Sequence, residues 1–224
     1  MRFNRTTLAL VLAGALAAAA QAQHEGDVEF APVGGTLLVA PNAANGYYVF
    51  EGGLGENPLL PPNVIDEPGF ESALGAFDPG DQVSFNVMAN LLYWDGAQFA
   101  NAPMDHEVEM QKAIFSTVVG ADTGAQSGFV FGEADVDGDI HEHMDFILHG
   151  PGEPDALTPG AYGLWLQLAS PQYAPSNEFI ILLNHGLSAA EYEAGVEAAA
   201  ALVPEPSTIM LWCAACVPVL LRRR

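Results

Sequence analysis

The chain has very few basic residues. It contains 6 Lys and Arg against 28 Asp and Glu, and between Glu25 and Glu205 only Lys112 is basic. An acidic body of this kind repels the phosphates of nucleic acids and of anionic lipids, so we expect no nucleic-acid partner. The same field attracts divalent cations, although acidity can also serve only to keep an exported protein soluble.

Cysteine is almost absent as well. Cys213 and Cys216 both lie in an apolar segment near the C-terminus, so residues 23–203 contain no thiol. This excludes a disulfide framework for the body of the protein. The sequence also lacks a Gly-x-Ser-x-Gly nucleophile elbow and the phosphate-binding glycine motifs, so we expect binding rather than catalysis.

The two ends carry targeting patterns. Arg2 and Arg5 precede an apolar run over 8–20 and the small residues Ala20 and Ala22, a pattern that predicts a signal peptide over 1–22. At the other end an apolar run over 209–221 stops at a cationic cluster. This pattern predicts a short membrane-anchor helix that keeps the body outside the membrane.

The C-terminal 21 residues resemble a PEP-CTERM sorting segment. The three parts of that signal follow one another in order: Pro204, Glu205 and Pro206, then the apolar run, then Arg222, Arg223 and Arg224. The resemblance implies processing by an exosortase-type enzyme and a transient membrane contact through the C-terminal helix. It further implies an inner-membrane-anchored intermediate, then the cell surface or extracellular matrix, with extracellular polysaccharide as a partner.

The sequence of residues 23–203 predicts one all-β domain. Turn-forming Gly, Pro, Asn and Asp pairs separate short β-prone runs, such as 47–50, 83–87 and 128–131. Regular short strands of this kind predict an antiparallel β-sandwich, like a jelly roll. The spacing of Ser188 and Glu191 is that of a capping box, which predicts a helix over about 188–202 that leads into the anchor helix.

The stretch 139–149 contains three of the six histidines. Asp137-Gly138 predicts a two-residue hairpin turn between strands 128–136 and 139–148, with His143 opposite Gly132 and His141 opposite Ala134. Strand alternation then divides the side chains between two faces. The core face is expected to hold Ile140, Glu142, Met144, Phe146 and Leu148, and the other face Asp139, His141, His143, Asp145 and Ile147.

Two imidazoles at positions i and i+2 of a strand lie about 6.5 to 7 Å apart, close enough to converge on one ion. We therefore predict a metal site at His141, His143 and Asp145, with His24 reaching it from the first strand. Further ligands could come from Asp27, His106, His149 and His185. The donor set favours zinc over copper, manganese or iron. The alternative is that these residues are a solvated outer face, as in any half-buried strand.

A second acidic motif follows the strand that precedes these histidines. Asp135, Asp137 and Asp139 resemble the first half of a calcium loop, but the twelfth position counted from Glu133 is Met144 instead of the Glu of an EF-hand. We reject an EF-hand and rank a looser calcium site at these aspartates below the transition-metal site.

The body also resembles a group of exported PEP-CTERM proteins that are tied to zinc limitation. The shared motifs are His24 with Asp27, Pro68-Gly-Phe70, Pro79-Gly80, Trp94-Asp-Gly96, His141-x-His143-x-Asp-Phe146, Gly160-Ala-Tyr162 and Asn184-His-Gly186. The resemblance implies metal binding or storage at the cell envelope.

Two other functions stay open. One is a structural or adhesive component of an extracellular polysaccharide matrix without a metal site, and the other is a metal-dependent enzyme acting on sugars. Tyr93, Trp94 and Phe99 could form a sugar-stacking platform, although we expect them to pack in the core or in loops instead.

Overall fold

The computed structural model describes residues 26–152 and 157–203. The predicted signal peptide (1–22), His24 and the sorting segment (204–224) lie outside the described residues. The sorting segment includes Pro204, Glu205, Pro206, Arg222, Arg223, Arg224 and the predicted anchor helix. No helix in the described part of the chain is long and apolar enough to cross a membrane.

The described residues form short strands and one longer helix. The strands are β1 (Val28–Val33), β2 (Thr36–Val39), β3 (Val49–Gly53), β4 (Val64–Ile65), β5 (Phe70–Glu71), β6 (Gln82–Val87), β7 (Leu92–Trp94), β8 (Phe99–Asn101), β9 (Glu107–Lys112), β10 (Phe115–Gly120), β11 (Gln126–Glu133), β12 (His141–Glu142), β13 (Asp145–His149), β14 (Gly160–Ala169) and β15 (Glu178–His185). The helix is α1 (Ala189–Ala200).

These strands form a large sheet and two smaller sheets. The large sheet has the order β11-β6-β14-β15-β3, with β7 added beside β14 and β8 beside β7. The smaller sheets have the orders β12-β5-β1-β2 and β10-β9-β13-β4. Apolar side chains from all three sheets share one core. Phe70 of β5, for example, meets Phe131 of β11 with 4.6 Å between ring centroids.

The prediction of an all-β, sandwich-like fold is confirmed. Its strictly antiparallel form is wrong, because β1 pairs with β5 in parallel and β15 pairs with β3 in parallel. Both parallel pairs join strands far apart in sequence, which local turn signals cannot show. The jelly-roll connectivity stays a prediction.

The predicted helix is also confirmed. Ser188 caps it, and its hydroxyl accepts a hydrogen bond from Glu191 N while the Glu191 carboxylate accepts one from Ser188 N. Val196 and Ala199 are buried on the outer face of the large sheet. The helix therefore covers the side of that sheet that faces away from the shared core.

The predicted hairpin at Asp137-Gly138 is wrong. A turn is present, but its carbonyl groups accept hydrogen bonds from Gly75 N and Phe77 N. The strand β11 pairs with β6, so His143 is not opposite Gly132 and His141 is not opposite Ala134. The space over Gly132 is filled by Ile140, because a Cβ at residue 132 would lie 2.6 Å from Ile140 Cγ2.

The stretch 139–149 forms two strands instead of one. The short strand β12 pairs with β5, and β13 pairs with β9 and β4 of another sheet. The predicted core face is confirmed for its four apolar residues, Ile140, Met144, Phe146 and Leu148, which are all buried. Glu142, predicted on the same face, is only half-buried, because its carboxylate pairs with Lys112. The alternation of buried and exposed side chains thus continues across the break between β12 and β13, while the tertiary packing sets the partner of each strand.

Candidate metal centre

The candidate site lies at one end of the sheet β12-β5-β1. Phe70 of β5 is the register partner of Val28 on one side and of Glu142 on the other. One residue further along each strand, Asp27, Gly69 and His143 fall into a row across the sheet. The hydrogen bond from Val28 N to Gly69 O, at 2.9 Å, holds the β1 side of this row.

Gly69 lets the two outer members of the row meet. Neighbouring strands are about 4.8 Å apart, so side chains on β1 and β12 must bridge about 9.5 Å across β5. A Cβ on Gly69 would lie 2.7 Å from His143 Cε1 and 3.1 Å from Asp27 Oδ1. The missing side chain therefore provides the space in which the imidazole and the carboxylate converge.

The two histidines present their nitrogens to one another. His141 Nε2 lies 3.2 Å from His143 Nε2. Two zinc–nitrogen bonds of 2.0 to 2.1 Å at a tetrahedral angle place the nitrogens about 3.3 to 3.4 Å apart. The observed spacing therefore matches that of two ligands of one tetrahedral ion.

Asp27 supplies an oxygen to the same place. The residue is only 5% exposed, and its Oδ1 accepts a hydrogen bond from Gly69 N at 2.9 Å. Its other oxygen, Oδ2, is buried without a hydrogen-bond partner among the described residues. Burying an unpaired polar atom is costly, and a cation would remove that cost. Asp27, His141 and His143 each offer a ligand atom, all within 4.8 Å of one another.

A second carboxylate makes the site more negative. Gly69 N also donates to Glu67 Oε2 at 3.1 Å, so two carboxylates share one amide. Burial, then the negative charge of Asp27 and a side-chain hydrogen bond with it, raise the pKa of the Glu67 carboxyl, while His143 and the hydrogen bond from Gly69 N partly lower it. A bound cation would offset the repulsion between the two carboxylates.

The orientation of His143 is fixed by the backbone. Its Nδ1 lies 3.0 Å from the carbonyl oxygen of Asp66. A carbonyl can only accept, so Nδ1 carries a proton, and in the neutral ring Nε2 then keeps its lone pair. This is the usual arrangement of a metal-binding histidine, whose other nitrogen donates to a carbonyl or carboxylate.

The structure brings together two of the four predicted ligands, His141 and His143. Asp145 is not in the group, because the chain passes to β13, where Asp145 is paired with Gln111 of β9. His24 is not described. The third member is Asp27, which the sequence had offered only as a reserve ligand.

The other described histidines lie in different surroundings. His149 Nε2 is 3.0 Å from Glu109 Oε2. His106 is buried, stacks on Tyr162, and accepts a hydrogen bond from Thr158 N. Burial lowers the pKa of His185, at the end of β15. In the part of the chain described, none of these three histidines belongs to the group formed by Asp27, His141 and His143.

The aspartates of the suggested calcium loop serve the turn itself. Asp135 Oδ1 accepts a hydrogen bond from Asp137 N at 2.7 Å. Hydrogen bonds from backbone amides, that of Asp137 first, lower the pKa of Asp135, while burial and the Asp135 carboxylate raise the pKa of Asp139. Within 26–152 and 157–203, these aspartates form no group of three ligand atoms within 4.8 Å of one another.

The aromatic residues considered for sugar stacking are packed inside. Tyr93 and Trp94 are buried, and their polar atoms donate to Pro159 O and Glu191 O. Phe99 packs against Trp94 with 5.3 Å between ring centroids. The expectation that they serve packing is confirmed.

Fold and site together define an all-β, sandwich-like protein with a candidate triad for a divalent metal, Asp27, His141 and His143. No protein-family model matches the chain, and the searches of curated proteins and of solved structures found no similar protein. The candidate site is therefore argued from its own geometry.

Proposed function

We propose that this chain is an exported protein that binds a divalent transition metal, with zinc favoured, at Asp27, His141 and His143. The observation that carries the proposal is the convergence of two imidazole nitrogens at tetrahedral spacing on a buried carboxylate, one oxygen of which has no hydrogen-bond partner among the described residues. Nitrogen and carboxylate ligands suit zinc, and also copper, manganese or iron, whereas calcium prefers an all-oxygen shell.

The fourth ligand is proposed to be His24. This residue is three positions before Asp27, and three residues span at most about 10 Å, which is within reach of the site. Where His24 does not bind, a water molecule takes the fourth position. Asp145 is left out of the proposed set because it belongs to β13 and a different sheet.

The proposed place of action is the cell envelope. The N-terminal signal pattern and the PEP-CTERM-like tail support export, exosortase processing and final residence at the cell surface or in the extracellular matrix. The acidic body supports the proposed metal binding, because its field draws divalent cations toward the site. The role proposed is metal binding or storage, and no catalytic step is assigned.

The test is a metal analysis of the full chain. Wild type, the double variant His141→Ala/His143→Ala and the control His149→Ala are equilibrated with zinc, freed of excess metal and analysed by mass spectrometry. We expect one zinc ion per chain in wild type and in the control, and none in the double variant. Equal zinc content in wild type and double variant would contradict the proposal.

A wild-type chain that takes up no transition metal would favour the alternative function, a structural or adhesive component of an extracellular polysaccharide matrix. Binding of the chain to purified matrix polysaccharide, measured with and without zinc, separates the two functions. Binding that ignores the metal would support the structural role alone.

A further inference from the structure

A second row of side chains lies beside the triad. His141 of β12 is the register partner of Glu71 of β5, and Glu71 is in turn the partner of Glu29 of β1. Positions two apart on a strand share a face, so Glu71 lies on the same face as Gly69. The carboxylate of Glu71 is therefore next to the proposed metal ligands.

Glu71 is held firmly in that position. Its neighbour Phe70 is fully buried, which anchors the two-residue strand β5 in the core. The Glu71 side chain is only 13% exposed, and its Oε1 lies 3.9 Å from His141 Nδ1. The carboxylate is therefore largely shielded from water, whereas the His141 side chain is 40% exposed, so water partly screens their interaction.

The contact between the histidines determines where the protons are. His143 donates from Nδ1 to Asp66 O, so its Nε2 is an acceptor. The 3.2 Å contact is a hydrogen bond only if His141 Nε2 carries the hydrogen. A hydrogen on His141 Nε2 would lie in the position in which a metal ion would bind.

Metal binding requires the other tautomer of His141. Both Nε2 atoms must then offer lone pairs, so the one proton of the neutral His141 ring must be on Nδ1. The ring gives its Nε2 proton to water and takes up a proton at Nδ1, which leaves its charge unchanged. The Nδ1 proton then points toward the Glu71 carboxylate.

We propose that Glu71 is a positioning residue, which stabilises the Nδ1-protonated tautomer of His141 and thereby makes its Nε2 a metal ligand. The proposal rests on the proposed metal-binding function. The 3.9 Å separation is longer than a hydrogen bond, and a shift of about 1 Å by the Glu71 side chain would bring its oxygen within hydrogen-bond distance of Nδ1. Carboxylates that orient metal-binding histidines in this way typically change metal affinity about 10- to 100-fold.

The experiment compares zinc affinities of the full chain by competition with a coloured chelator. Glu71→Ala and Glu71→Met both remove the acceptor, and whichever folds carries the test. We expect a loss of affinity of about 10- to 100-fold. Glu71→Gln should lose less, because its amide oxygen still accepts a hydrogen bond. The matched control is Glu109→Gln, which alters the comparable pair with His149 and should bind zinc like wild type.

The second readout is the ¹⁵N NMR spectrum of the histidine rings, which distinguishes Nδ1–H from Nε2–H. Zinc-loaded wild type should show His141 protonated at Nδ1. At the same zinc concentration, Glu71→Ala should bind less zinc and should lose this Nδ1–H signal. Unchanged affinity and an unchanged tautomer would overturn this inference while leaving the metal site intact. Absence of zinc binding by wild type would overturn both the proposed function and this inference.

Discussion

Two histidine settings from the same short stretch of sequence can be compared. His141 and His143 face one another beside Asp27, whose Oδ2 has no hydrogen-bond partner within 26–152 and 157–203. His149, on the next strand, lies against Glu109, whose pKa is lowered first by a hydrogen bond from Ser116 and then by the one from His149. A carboxylate that already has two donors has little need of a cation.

The difference shows that the number of histidines does not make a metal site. What distinguishes the first setting is convergence: the pairing of β12, β5 and β1 brings ligands from two distant parts of the chain, Asp27 and the pair His141 and His143, together over Gly69. At His149, the strands β9 and β13 bring together one acid, Glu109, and one base, and the two side chains contact each other. The predictions below act on this contrast.

The largest effect is expected from Asp27→Ala. Loss of a ligand should lower zinc affinity by at least about 100-fold, since loss of an outer-shell partner alone costs about 10- to 100-fold. The metal-free protein should change little in its free energy of unfolding, because the lost hydrogen bond from Gly69 N to Oδ1 is offset by removal of the buried Oδ2, and Gly69 N still donates to Glu67. Calorimetric zinc titration and urea unfolding measure the two quantities.

The control for this prediction is Asp137→Ala, an exposed turn residue away from the triad. Its zinc affinity should equal that of wild type. If Asp27→Ala binds zinc as wild type does, Asp27 is not a ligand, and the contrast with His149 loses its basis.

An intermediate effect is expected from Gly69→Ala. The added Cβ would lie 2.7 Å from His143 Cε1, so the imidazole must move away from Asp27. We expect about a 10-fold loss of zinc affinity, with a cost of about 1 to 3 kcal/mol in unfolding free energy from overpacking. Chelator competition and denaturant unfolding provide the measurements.

Gly120→Ala is the matched control, because the nearest atom to a Cβ there is 3.5 Å away, an ordinary contact. It should leave zinc affinity unchanged. A Gly69→Ala chain with wild-type affinity would show that the two outer residues of the row do not meet over residue 69.

The smallest effect concerns His185, a half-buried histidine outside both settings. Burial lowers the pKa of His185 in the folded protein, so the unfolded chain takes up the proton first as pH falls. His185 therefore contributes stability above the unfolded pKa of about 6.5, and this contribution is lost as the pH falls below that value.

Replacing His185 with Gln should make the loss of unfolding free energy between pH 7 and pH 5 less steep. Urea midpoints across this range provide the measurement, and His149→Gln, which changes a partly exposed histidine, is the comparison. Identical pH profiles for wild type and His185→Gln would contradict a lowered pKa of His185 in the folded protein.

Much of the fold could be predicted from local sequence. The alternation from Ile140 to Leu148 identified the buried face correctly, and the capping box at Ser188 located the helix. The turn at Asp137-Gly138 was also recognised, but the hairpin was not formed. A turn pattern does not reveal that its carbonyl groups will bind Gly75 and Phe77.

The site could be predicted only in part, for a related reason. His141 and His143 share a face over two residues, which local alternation shows. Asp27 joins them through the parallel pairing of β1 with β5, a register that depends on contacts more than forty residues apart. The role of Gly69 follows from the same register. Asp145 was assigned on the assumption of one continuous strand, and the break between β12 and β13 removes that assumption.

The most direct test of the central claim is zinc X-ray absorption spectroscopy of the zinc-loaded full chain. The account predicts nitrogen and oxygen ligands at about 2.0 to 2.2 Å, with the outer-shell scattering of two imidazoles in the His24→Ala variant. The imidazole signal should vanish in His141→Ala/His143→Ala. A zinc environment without imidazole, or one unchanged by the double substitution, would contradict it.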